Sequence, residues 1–203
     1  MKKRLKIKKE NFIKGQFKES FRYIAESKKF IFLAIVIFLI FALIGFFIPV
    51  PENIKNIILD YLKELAEKTK NFSSPFDWIF FIFFNNLISS FFGIILGFFL
   101  GIYPFLSSLL NGYIVGFVSS ISVSQEGFFS LWRLFPHGIF ELPALFISLG
   151  LGLKIGTFVL EKKKGFAFRN YLVNSLRVFI FVVFPLLLIA GIIEGFLIYY
   201  SLA

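Results

Sequence analysis

Apolar and charged residues alternate along this chain in long blocks. Five apolar runs extend from about Phe30 to Ile48, Trp78 to Ile102, Phe105 to Ser122, Leu134 to Leu153 and Val178 to Tyr200. Crossing the hydrocarbon core of a bilayer takes about 20 residues of helix. The pattern therefore predicts an all-α, polytopic membrane protein with about five transmembrane helices. Tyr103-Pro104 is the expected tight turn between the second and third spans; because it carries no charge, a longer broken helix is the alternative.

Two amphipathic stretches flank the first span. Ile13, Phe17, Phe21 and Ile24 recur at helical spacing, with Lys14, Lys18 and Arg22 on other faces. A basic amphipathic helix of this kind lies on an anionic membrane surface. The second stretch carries Ile54, Ile57, Ile58, Tyr61, Leu62 and Leu65 on one helical stripe. Pro49 and Pro51 precede it, and Asn71-Phe72-Ser73-Ser74-Pro75 ends it. It is expected to pack over the mouth of the bundle or to lie at the interface; a lid over a cavity is the sharper alternative. Residues 1–29 then form a basic cytoplasmic segment, and 30–203 a single transmembrane domain with an external helix at about 52–70.

Composition agrees with a membrane location. The chain is 58% hydrophobic and only 17% charged, where soluble domains are about a quarter charged. It has no cysteine, which excludes disulfides, thiol chemistry and Cys-ligated zinc. The net charge of +10 sits at the ends of apolar runs. It reads as a topology signal and as contacts to anionic lipids, not to nucleic acid. Lysines and arginines crowd the segment before the first span, from Lys2 to Lys29, and the loop holding Lys154, Lys162, Lys163, Lys164, Arg169 and Arg177. Loop basicity marks the cytoplasmic side, so a cytoplasmic N-terminus and an external C-terminus are expected. The basic leader is longer than a usual signal n-region, and no small-x-small site follows the first run, so that run is expected to be a retained anchor.

Small residues recur every fourth position in three spans: Asn85, Ser89, Gly93, Gly97 and Gly101; Ser108, Gly112, Gly116 and Ser120; Ala144, Ser148, Gly152 and Gly156. Residues four apart share a helix face, and small ones let membrane helices approach closely. A tight core of spans two to four is expected, with a homodimer contact on one ridge as an alternative.

Ionisable residues inside a membrane are expensive and face a bundle interior, a partner or a pathway. His137, the only histidine, stands four residues before Glu141; Glu194 lies in the fifth span, Asn85 and Asn86 in the second and Asn111 in the third. At about 1.5 Å per residue, most of this set falls in one layer in the outer half of the bilayer, with Asn111 nearer the midplane. Four uses remain open. The residues satisfy one another, as polar residues do between membrane helices; they handle protons or cations; they serve metal-assisted or acid–base hydrolysis inside the membrane, with His137, Glu141 and Glu194 as the ligands a metal would take; or they line a lipid- or peptide-binding groove. No second histidine and no H-E-x-x-H motif is present, so no metal and no cofactor is expected. A Walker A loop, a dinucleotide fingerprint and a nucleophile elbow are likewise missing.

The segment Pro136-His137-Gly138-Ile139-Phe140-Glu141-Leu142-Pro143-Ala144 resembles the signature of the stage II sporulation protein M family. Asn86 early in one span, Asn111-Gly112 in the next and Glu194 in the last follow the same order, over roughly Phe76 to Leu197. The resemblance implies a multi-pass membrane protein. In spore-formers the namesake acts with partners that remodel peptidoglycan during engulfment, as a scaffold more than as the hydrolase. The expectation is a non-enzymatic membrane component of an envelope-associated assembly, with homo-oligomeric or complex partners. A small transporter or channel for protons or a polar solute is the rival, and an intramembrane hydrolase the third reading.

Overall fold

The computed structural model describes residues 2–49, 51–134 and 138–202. Eight α-helices carry the architecture of these residues: α1 (Lys2–Glu26), α2 (Lys28–Phe47), α3 (Glu52–Thr69), α4 (Pro75–Ile95), α5 (Ile102–Glu126), α6 (Glu141–Gly156), α7 (Lys164–Val178) and α8 (Phe184–Leu202). No strand is found among the described residues, and five of their helical segments are long and apolar enough to cross a membrane.

Close contacts fix the directions of the helices. Gly112 and Gly116 of α5 lie against the backbone of Phe38 and Ala42 in α2, so these two run parallel. Gly93 lies on Leu149 and Gly97 on Gly152, making α4 and α6 parallel as well. Gly195 and Gly191 of α8 meet Ile79 and Phe83 of α4, and Gly150 of α6 meets Ile31 of α2; both of these pairs are antiparallel. Thus α2, α5 and α8 cross one way, and α4 and α6 the other. The end where α2 begins is called the near side below.

Helix α6 is the hub. It packs against α2, α4, α5, α7 and α8. Leu149, Leu151 and Ile155 are completely buried in it. Glycines make this possible: a Cβ on Gly97 would overlap the Gly152 carbonyl, and one on Gly152 would overlap the Gly93 carbonyl. The ridges of the second and fourth spans therefore face each other. The third ridge, Gly112 and Gly116, faces α2 instead, so the first span joins the tight core.

Three segments differ from the sequence expectation. The turn between α4 and α5 sits at Leu96–Gly101, not at Tyr103-Pro104. Leu100 (φ 53°) and Gly101 (φ 74°) adopt the left-handed conformation that reverses the chain, which glycine adopts without a steric penalty. Pro104 falls in the first turn of α5, where a missing N–H costs nothing. Helix α6 starts at Glu141, seven residues later than the expected Leu134, after a turn at Ile139 and Phe140. The basic loop before the fifth span is mostly helix: α7 runs into a π-helical turn at Phe179–Val183 and then α8. Pro185 follows that turn. Proline clashes with the carbonyl four residues back, and a π turn relieves such a clash.

In helix α1, among residues 12–26, Ser20 and Tyr23 are buried, with the helix packed against α7, while Phe12, Ile13, Phe17 and Phe21 are exposed. At the other end, α3 buries only Ile58 and exposes Ile54, Ile57 and Tyr61. Four residues join it to α2 and five to α4. The second join ends in a capping box: Ser74 Oγ accepts from Asp77 N, and Asp77 Oδ2 accepts from Ser74 N at 2.9 Å.

Candidate functional site

His137 lies outside the described residues, and with it the pairing of His137 with Glu141. Ile139 and Phe140 form a turn directly before α6. Glu141 is half-buried in the first turn of α6. There a carboxylate is stabilised by the unpaired N–H groups and positive end of the helix.

Glu194 is also half-buried, on α8, and its Oε2 is shut off from solvent. Its neighbour Gly195 meets Ile79 near the start of α4. Asn86 stands seven residues further along α4 and is half-buried; Asn85 is exposed. Glu194 and Asn86 are therefore offset by about 9 Å along the bundle, at 1.5 Å per residue. The α4–α6 register, Gly93 beside Leu149, puts Glu141 level with Asn85 and Asn86. Asn111 is bound within its own helix: its Nδ2 donates to the Ser107 carbonyl at 2.8 Å and to Ser107 Oγ at 3.2 Å. The contacts of Gly112 with Phe38, and of Phe38 with Phe146, put it deeper than Glu141. Among the described members, then, Glu141 shares a level with the asparagines, Glu194 lies closer to the far end and Asn111 deeper.

A second polar constellation sits on the near side. Lys154, read from sequence as a loop residue, is in the last turn of α6 and buried. Its Nζ donates to Ser27 Oγ at 3.0 Å and lies 3.9 Å from the ring centre of Tyr23 and 5.6 Å from that of Tyr171. Aromatic faces attract cations, which offsets part of the cost of burial. Tyr171 donates to Glu161 Oε1 at 2.8 Å, and Tyr23 Oη reaches the Tyr171 carbonyl at 3.5 Å. Burial holds the Tyr23 phenol well above the ordinary tyrosine range, against a lowering contribution from Ser175. This chain of groups ties α1, α2, α6 and α7 together at the elbow between α1 and α2. One signal for it stood in the sequence: Gly152 and Gly156 flank Lys154, so the packed helix continues past it.

The comparisons with known proteins decide the family. The stage II sporulation protein M model matches residues 34–197. The chain belongs to the stage II sporulation protein M family. No curated relative and no solved structure matches it. The matched region of this family member begins inside α2 and ends inside α8, so it takes in all five crossings, Glu141, Glu194 and Lys154, and leaves out α1.

Proposed function

We propose that this protein is a non-enzymatic membrane component of an envelope-associated assembly, with its N-terminus in the cytoplasm and its C-terminus outside. The backbone-to-backbone packing of α4 on α6 carries this reading. Helices joined through Gly93, Gly97 and Gly152 leave no room between them for a solute, and their separation would expose glycine backbone to lipid. The bundle then works as a fixed frame. Helix α3, tethered at both ends with Ile57 and Tyr61 exposed, offers an external face to a partner, for which a peptidoglycan-remodelling protein fits the family. The orientation rests on the basic residues of α1 and of the segment around Lys163. A photo-crosslinking residue at Ile57 should give a protein adduct in native membranes. Adducts with lipid alone would remove α3 as the partner face.

One observation favours a second reading. Glu194 buries a carboxylate oxygen inside a membrane-spanning helix, and such residues serve proton relays. Under this transport reading, Glu194→Gln and Glu141→Gln abolish uptake in proteoliposomes. Under the assembly reading they leave complex formation intact.

A further inference from the structure

The α1–α2 elbow carries a groove of about 520 Å³, lined among others by Ile24, Lys28, Lys29, Ile31, Phe32 and Ile35. We propose that it binds one anionic phospholipid, with the phosphate diester held by Lys28 and Lys29 and an acyl chain laid along Ile31, Phe32 and Ile35. Three observations support this occupant. First, the groove straddles the start of the first membrane-spanning helix, Lys28–Phe47. Its lysines are thereby placed at the headgroup layer and its apolar floor at the acyl layer. Second, the helical hydrogen bonds run almost unbroken through the elbow: Ser27 N donates to the Tyr23 carbonyl at 3.0 Å, and Ile31 N to the Ser27 carbonyl at 3.1 Å. Lys14, Lys18, Arg22, Lys29 and Phe32 therefore fall on one helical stripe, and a basic row leads into an apolar slot. The nearest carboxylate on this helix, Glu26, is engaged by Arg22 Nε at 3.6 Å, while Lys28 and Lys29 make no ion pair among the described residues. Third, the elbow is held in shape from behind, where Lys154 grips Ser27 and Gly150 receives Ile31. A preformed site loses less entropy on binding than a floppy one.

The site differs from general attraction to a charged surface in having a position and a stoichiometry. The test is native mass spectrometry of the purified full chain, titrated with phosphatidylglycerol or phosphatidylcholine. One phosphatidylglycerol per chain should be retained in preference to phosphatidylcholine. A lysine near an anionic headgroup is worth about five-fold in binding, so Lys28→Gln/Lys29→Gln should cut that preference by about thirty-fold. Lys63→Gln/Lys68→Gln, on α3 at the far end, should leave it unchanged. Phe32→Gln should weaken both lipids and keep their ratio, and glycerol phosphate without acyl chains should fail to displace the lipid. The proposal is overturned if the Lys28/Lys29 variant keeps the wild-type preference, or if the Lys63/Lys68 variant loses as much, which would mean diffuse charge alone.

Discussion

The buried Lys154 allows a prediction with an unusual sign. In the native protein its ammonium has Ser27 Oγ at 3.0 Å and the Tyr23 ring at 3.9 Å. Ser27→Ala removes the hydrogen-bond partner and leaves the charge buried. A hydrogen bond to a charged group contributes about 1.5–3 kcal/mol, and the abandoned group also suffers its desolvation. A cost of about 2–3 kcal/mol follows. Lys154→Met loses the same bond and a cation–π contact of about 0.5–2 kcal/mol. It also removes the need to bury an ion at all, a penalty of several kcal/mol. Methionine has a similar length and fills gaps well, so its net effect should stay within about 1 kcal/mol of wild type. In the Met background Ser27→Ala breaks only the hydroxyl's own bond to the Tyr23 carbonyl at 2.7 Å, so the two changes should couple by about 2 kcal/mol. Equilibrium unfolding of the four proteins in mixed micelles, titrated with sodium dodecyl sulfate, measures the cycle. Ser27→Ala costing the same in both backgrounds, within about 0.5 kcal/mol, would refute the reasoning; so would Lys154→Met being the most damaging single change.

Other consequences follow from the packing. Gly152→Val forces a side chain into the Gly93 carbonyl and should cost at least the 1–3 kcal/mol typical of overpacking, whereas Gly165→Ala, with open space around it, should stay within about 0.5 kcal/mol; the same titration reads both. Gly101→Ala puts a Cβ on a left-handed residue (φ 74°) and should lower stability by about 1–2 kcal/mol. Ser74→Ala removes the cap on α4, with an expected loss of about 1 kcal/mol and faster proteolysis between α3 and α4. The Tyr23 phenol has its pKa raised by burial, so the unfolded chain ionises first. Its contribution to stability is complete below pH about 10 and is lost as pH rises beyond it; the wild type should therefore lose more stability than Tyr23→Phe between neutral and strongly alkaline pH.

The membrane architecture was legible because apolar runs of span length have few other uses. The near ends of the spans were harder to read. Lys154 reads as a loop residue because charge marks span ends, yet its charge is accommodated by the rings of Tyr23 in α1 and Tyr171 in α7 and by Ser27 between α1 and α2. Nothing local to Lys154 encodes those partners. The Tyr103-Pro104 pair misleads for a related reason: proline fits a first helical turn as well as a loop, and the reversal depends on the left-handed Leu100 and Gly101. The small-residue ridges indicated close approach, but periodicity carries no partner identity, and the third ridge meets α2. Of the polar set, Glu141 sits at a helix end, because α6 starts there and not at Leu134, where the apolar run begins.

Ion flux through the reconstituted full-length protein tests the fixed-frame account most directly. Proteoliposomes loaded with a pH-sensitive dye should acidify no faster than protein-free vesicles under an imposed potential, with wild type and Glu194→Gln alike. A proton flux that the wild type supports and Glu194→Gln abolishes would contradict the account and establish the membrane carboxylate as a transport site.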